Sequence, residues 1–277
     1  MRTPSAALIL IISLFLAGPA IAGPFEDAAY AYKQGDFKTA YRLYKPLAEQ
    51  GLPEAQVILG YMYETGQGVP QDYTEAVKWY RKAADQGGAI GQSSLGQMYF
   101  LGQGVPQDYA EAAKWYRKAA EQGSRFGQYM LGGLYQEGYG FPKDFAEAAK
   151  WYRKAAEQGH SIAQFQLAHL YAEGHGVPQD YAEAAKWCRK AAEQGYSVAQ
   201  NDLGAMYANG DGVPQDYVLA HLWFSLAASN VLEEEMHEGT AMHAAKNRDL
   251  VASKMTPDQI AEAQKLAREW KPKKEEK

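Results

Sequence analysis

Tryptophan falls at Trp79, Trp115, Trp151, Trp187 and Trp223, each 36 residues after the last. Asp72, Asp108, Asp144, Asp180 and Asp216 keep the same interval, as do Pro70, Pro106, Pro142, Pro178 and Pro214. The segments Gly104–Gly123 and Gly176–Gly195 are identical except that Cys188 stands where the earlier one has Tyr116. A fixed period of roughly 20–50 residues means stacked units, each too small to bury its own apolar face. The 277 residues are therefore one array, not the two globules that length alone suggests.

Each unit reads as a pair of helices. In the first full unit, helix A runs from near Glu54 to near Glu64, with Ala55, Leu59, Met62 and Tyr63 on one face. Gly66-Gln67-Gly68-Val69-Pro70-Gln71 cannot continue a helix and forms the connecting loop. Asp72 is the expected N-cap of helix B, with Glu75 at N3 as a D-x-x-E capping pattern, and Gly87 ends that helix as a C′ residue. Helix B carries Tyr73, Ala76, Trp79, Tyr80, Ala83 and Ala84 on one side. Gly60, Gly96, Gly132, Ala168 and Gly204 lie inside helix A, where glycine costs roughly 1 kcal/mol of propensity. That cost is tolerable if it admits a close approach of helix B, with the tryptophan filling the space between helices. β-branched residues are scarce, which excludes a sheet-rich fold.

The first 22 residues read as an address. Arg2 precedes the apolar run Ala6 to Ala17, Gly18-Pro19 break it, and Ala20-Ile21-Ala22 is an A-x-A site. Cleavage is expected between Ala22 and Gly23, giving a periplasmic or secreted protein. The run is short of the roughly 20 apolar residues a span requires, and no later stretch reaches that length. No cysteine follows it, which excludes a lipoprotein anchor. With 28 basic against 33 acidic side chains and a net charge of −5, nothing here attracts nucleic acid. One cysteine excludes a disulfide framework and a thiolate zinc cluster.

The recurring pattern A-Q-x-x-L-G-x-x-Y-x-x-G-x-G-V-P-Q-D-Y-x-x-A-x-x-W-Y-x-x-A-A-x-Q-G resembles the Sel1-like repeat family, carried here by Ala55-Gln56, Leu59-Gly60, Tyr63, Gly66, Gly68, Asp72, Trp79 and their equivalents. The resemblance implies an all-α fold: an α/α right-handed superhelical solenoid of Sel1-like, tetratricopeptide-like helix pairs with a C-terminal helical cap. The expected organisation is a signal peptide at 1–22, an N-terminal tetratricopeptide-like capping unit at 23–51 that lacks the Gly-Val-Pro loop, and five 36-residue repeats over 52–231. Capping helices follow over 232–270, then a disordered tail over 271–277. In the cap, Glu233–Lys254 reads as one helix. Thr256-Pro257-Asp258-Gln259 is a capping box that starts a last helix. Leu219, Leu222 and Leu226 replace charged residues of earlier units and form a stripe for the cap to cover.

No residue set reads as catalytic. Cys188 fills a tyrosine slot and is expected to be a buried packing residue. His237-Glu238 lacks the second histidine of H-E-x-x-H, since position 241 is Ala241. No cofactor and no metal site are expected. The repeated Gln56, Gln92, Gln128, Gln164 and Gln200 read as hydrogen-bonding elements between helices. The basic ladder Lys78, Arg81, Lys82 and its copies reads as a solvated face, with the arginines paired at i,i+4 to Asp85, Glu121, Glu157 and Glu193.

Repeated positions serve stacking, so a partner should meet the positions of helix A that vary. These are Val57, Tyr61 and Glu64; Ser93, Gln97 and Phe100; Tyr129, Gly133 and Gln136; Phe165, His169 and Glu173; and Asn201, Ala205 and Asn209. Their spacing puts them on one face, expected to line a concave groove that is most aromatic at Phe100, Tyr129, Phe165 and His169. The resemblance implies a non-enzymatic exported scaffold that takes a protein or peptide partner in this groove, in envelope assembly or signalling. A module for an envelope glycan, peptidoglycan or exopolysaccharide, is the alternative; a cell-wall or β-lactam hydrolase ranks last.

Overall fold

The computed structural model describes residues 23–229 and 238–273. The leader read in 1–22, His237, residues 233–237 of the helix expected at Glu233–Lys254, and 274–277 lie outside the described residues. The fold is all-α. The helices are α1 (Pro24–Lys33), α2 (Phe37–Glu49), α3 (Pro53–Thr65), α4 (Tyr73–Asp85), α5 (Ala89–Leu101), α6 (Tyr109–Glu121) and α7 (Arg125–Glu137). Then follow α8 (Phe145–Glu157), α9 (Ser161–Glu173), α10 (Tyr181–Glu193), α11 (Ser197–Asn209), α12 (Tyr217–Ser229), α13 (Glu238–Ala252) and α14 (Pro257–Glu269). They form two compact units that divide between Lys143 and Asp144, and within each unit a helix packs on the helices before and after it.

Local chemistry sets each helix end. The Asp72 carboxylate accepts from the backbone N–H of Thr74 and Glu75 at 2.9 and 3.1 Å, and Asp108, Asp144 and Asp180 repeat the arrangement. The D-x-x-E pattern caps through its aspartate alone. The Asp72 N–H donates to the Tyr63 carbonyl at 2.9 Å, so Glu75 is released to pair with Lys78 at 2.5 Å. Loop glutamines close the other end of the turn: Gln71 Nε2 donates to the Glu64 carbonyl in the last turn of α3 at 2.7 Å, and Gln107, Gln179 and Gln215 do the same for α5, α9 and α11.

The aromatic that seals helix A against helix B is tyrosine, not the expected tryptophan. A Cβ on Gly60 would come within 2.7 Å of the Tyr80 ring, and one on Gly96 within 3.1 Å of Tyr116. Tyr80 and Tyr116 are fully buried. The tryptophans are buried beside them, with the Lys82 ammonium 4.0 Å from the Trp79 ring centre and Lys118, Lys154 and Lys190 in the same place on later repeats.

The recurring glutamine ties successive helices, as its repetition suggested. Gln56 donates to the Ala48 carbonyl of α2 at 3.1 Å and accepts from Gln86 of α4 at 2.8 Å. Gln164 does the same between Ala156 and Gln194, at 3.0 and 2.8 Å. The basic ladder departs from expectation. Instead of pairing along their own helix, the arginines reach the next helix A: Arg81 and Arg153 hydrogen-bond the hydroxyls of Tyr99 and Tyr171, and Arg117 and Arg189 bond Tyr135 and Tyr207 at 2.6 and 2.5 Å. A tyrosine hydroxyl 18 residues away joins two helices, which an i,i+4 carboxylate cannot do.

The C-terminal helices pack on α12, where Leu222 and Leu226 are buried and Leu219 half-buried. The capping box forms, with Thr256 N–H donating to Gln259 Oε1 at 2.9 Å and Gln259 N–H to Thr256 Oγ1 at 3.3 Å. Trp270 meets Trp223 edge-on at 6.3 Å. The tail is not wholly loose: the Lys273 N–H donates to the Glu193 carbonyl and its ammonium pairs with the Glu193 carboxylate, both at 2.8 Å.

The second glycine of each Gly-x-Gly loop presses on the start of the preceding helix B. Gly104 has φ +71°, and a Cβ there would lie 2.2 Å from the Tyr73 carbonyl oxygen. Gly87 has φ +90° with open space around it. Gly104→Ala should therefore cost more than about 2 kcal/mol and Gly87→Ala about 1 kcal/mol in urea unfolding. Equal costs would show that the loop does not press on the helix.

Candidate functional site

The variable positions of helix A do not form one continuous lining. In α3, Val57 and Tyr61 are 5% and 7% exposed, so they belong to the core and not to a groove. Ser93 in α5 is buried too, with its hydroxyl given to the Ala89 carbonyl at 2.9 Å. Glu64 is engaged internally, accepting from the Tyr80 hydroxyl at 2.7 Å. Val57, Tyr61 and Ser93 are thus core positions, while Glu64 is half-buried.

Gln97, Phe100, Tyr129, Gly133 and Gln136 are half-buried. Phe100 packs on Tyr109 at 5.4 Å and faces Tyr139 at 6.3 Å, and the two tyrosines stack at 4.6 Å. Burial pushes the Tyr129 hydroxyl above its ordinary pKa. Asn201 is covered by the C-terminal cap, its carbonyl accepting from the Asn247 amide of α13 at 3.2 Å. Glu173 and Asn209 stand exposed at the ends of their helices, bound to His175 at 2.9 Å and Asp211 at 3.1 Å. Counting by 36 from Glu64 shows why they sit apart: the matching residues are Ala172 and Ala208.

Phe165, His169 and Ala205 are the variable positions that the fold brings to an open site. They line a cavity of about 220 Å³ in the fourth repeat. Ala168, Ala172, Ala184 and Cys188 form its floor, with Met206 and Ala205 of α11 opposite. Phe165 is held edge-on between His169 at 4.6 Å and Tyr196 at 5.3 Å. The rim is polar and carries His169, Asp202 and Asp211, while Tyr181 beside it is 46% exposed.

His169 Nε2 lies 3.2 Å from Asp202 Oδ2, and Asp202 also accepts from the Asn201 amide at 3.2 Å. This hydrogen bond, with the negative charges of Asp202 and Glu173, raises the histidine pKa above its ordinary 6.5 despite partial burial. Cys188 is 2% exposed and donates its thiol to the Ala199 carbonyl at 3.3 Å. Burial pushes that thiol far up, so it is protonated and a poor nucleophile. Among the described residues no three His, Cys, Asp or Glu side chains converge as metal ligands would. The arrangement offers an apolar recess with hydrogen-bonding groups at its mouth, the composition of a recognition site.

Cys188 read in sequence as a tyrosine slot; what that reading missed is that losing the ring leaves room. The signal was present in two coincident departures of the fourth repeat, Cys188 for tyrosine and Ala168 for glycine, beside a small residue, Ala172, in the variable Glu64 position.

The Sel1 repeat family model matches residues 27–52, 53–88, 89–124, 126–160, 161–196 and 197–230, which is most of the chain. The chain belongs to the Sel1 repeat family. The first of these matches falls on the segment read above as a tetratricopeptide-like cap, so a shorter Sel1 unit precedes the five full repeats, making six, and the full repeats keep their numbers from the first full one. A Sel1 repeat protein from Oxalobacter formigenes is 32% identical, over 89% of this chain and 97% of that one, with a TM-score of 0.73. The protein c5321, a protective antigen present in uropathogenic Escherichia coli strains that displays an SLR fold, is 28% identical over 89% of this chain and 83% of its own, with a TM-score of 0.35. No curated protein matches. Sel1 repeat proteins are in general protein-interaction scaffolds, and the fold is typically non-enzymatic.

The raised histidine pKa fixes the sign of a pH effect. The folded state favours the imidazolium, so the His169–Asp202 pair stabilises fully below about pH 6.5 and its contribution fades as pH rises through the higher folded value. The difference in Tm between the native protein and His169→Gln should be larger at about pH 5.5 than at about pH 8.5. A difference that does not change with pH would remove the pair from the account.

Proposed function

We propose that this Sel1 repeat chain is an exported, non-enzymatic adaptor that holds a protein partner against the helix-A face of its fourth repeat, in envelope assembly or signalling. The observation that carries the reading is the recess beside Phe165 and His169. It is open, largely apolar and rimmed by hydrogen-bonding groups. On the other conspicuous surface, the basic ladder, the arginines are engaged by Tyr99, Tyr135, Tyr171 and Tyr207, and Lys78 and its copies pair with glutamates of their own helix. Interface anchors are characteristically aromatic side chains in such recesses, surrounded by polar rims.

Support for export comes from the pattern of Arg2, the apolar run and Ala20-Ile21-Ala22. Among the described residues no helix is long and apolar enough to cross a membrane. On this reading the partner lies outside the cytoplasm.

The test is capture from a periplasmic extract by purified protein and by a Phe165→Ala, Met206→Ala variant, with peptidoglycan binding measured in parallel. The adaptor reading expects a protein partner that is retained at least tenfold less by the variant, and a product beginning at Gly23 in the periplasm or medium. Retention on glycan with no protein captured would replace this reading with the glycan-binding one. Turnover of glycan or a β-lactam by the pure protein would end it.

A further inference from the structure

The fourth repeat differs from its neighbours at the one place where a ring is expected. In the first full repeat Tyr80 lies on Gly60, in the next Tyr116 lies on Gly96, and in the last Phe224 lies on Gly204, where an added Cβ would meet the ring at 2.7, 3.1 and 2.8 Å. The positions around the Tyr80 ring are Gly60 beneath it, Glu64 at its hydroxyl and Ala76 beside it. Their counterparts are Ala168, Ala172 and Ala184, and with Cys188 all four line the cavity. The cavity is therefore the aromatic slot of the repeat, left open by its own side chain. The framework is otherwise kept, since Gly104–Gly123 and Gly176–Gly195 differ at that one residue.

We propose that this slot receives a tyrosine side chain from the partner protein. The proposal rests on the adaptor reading above and names what the recess recognises. A volume of about 220 Å³ is ample for one ring, since a cavity of roughly 150 Å³ holds benzene. The walls are aliphatic and aromatic, and the Phe165 edge and the Met206 thioether offer a ring the contacts it prefers. Asp202 and Asp211 also line the cavity, and a carboxylate can accept a hydrogen bond that a phenol gives and a phenyl ring does not. In the same chain Tyr80 and Tyr116 show this slot filled by a tyrosine of its own, there lying on glycine where this repeat has Ala168.

The test uses p-cresol, the tyrosine side-chain analogue, titrated into the purified protein and followed by amide NMR shifts. Saturable shifts centred on Ala168, Ala172 and Cys188 are expected. The Cys188→Tyr, Ala168→Gly variant rebuilds the neighbouring repeats, and should bind p-cresol at least tenfold more weakly. Both changes are made so that a ring attached at position 188 meets the same bare helix that Tyr80 and Tyr116 meet at Gly60 and Gly96. Ala172→Phe, which places the residue of Phe100 at this point, should also close the slot and guards against misfolding of the first variant. Acetyl-Gly-Tyr-Gly-amide should compete with p-cresol, and acetyl-Gly-Leu-Gly-amide should not.

Absence of saturable p-cresol binding, or equal affinity in the native and rebuilt proteins, overturns the proposal. So does p-cresol binding without competition by the tyrosine peptide, which would mark a site for a free phenol. No partner enters this titration. Intact p-cresol binding with no partner captured therefore condemns the adaptor reading alone, and the reverse condemns the slot alone.

Discussion

Contact between an aromatic ring on helix B and the bare backbone of helix A is the interaction on which the repeat depends. Gly60 lets Tyr80 lie flat against its helix, and the ring fills the space that a Cβ would have taken. The glycine weakens its own helix by roughly 1 kcal/mol, and burying a ring returns more than that. Around this seal the polar groups fall into fixed roles. Glutamine bonds helix B of one repeat to helix A of the next, and arginine carries a tyrosine hydroxyl of the following helix. The second loop glycine sets how closely a repeat sits on its predecessor. These contacts involve neighbours, so each repeat is stabilised mainly by the one on either side.

Much of the architecture was legible because it is written several times. The 36-residue interval, the Asp72 cap, the helix-ending glycines and the bridging role of Gln56 all follow from periodicity and backbone chemistry. What was not legible depended on directions in space. Nothing in the spacing says that Arg81 turns toward Tyr99 instead of Asp85, because both lie within reach of a long side chain. Nor does spacing separate Trp79 from Tyr80 as the residue beneath which helix A must carry glycine; adjacent residues on a helix point about 100° apart, and one of the two had to face it.

The candidate site was legible in part for the same reason. Variation along helix A is a sound guide to where a repeat protein differs, but it does not distinguish a surface position from a core position that tolerates several shapes. Val57, Tyr61 and Ser93 vary and are buried. Phe165 and His169 vary and are half-buried, and what sets them apart is the cavity they border, which depends on Cys188 in another helix. A register shift of one residue separated Glu173 from Ala172, and on a helix one residue is enough to leave the site.

The clasp between Lys273 and Glu193 has a kinetic consequence. Contacts within the array join helices a few tens of residues apart, so the loops that must close are short and their entropic cost is small. The clasp joins residues 80 apart. Closing a loop of that length costs more entropy than closing those within the array, which makes the clasp slower to form. The segment just past α14 is thereby tied to the C-terminal end of α10, the helix that carries Cys188.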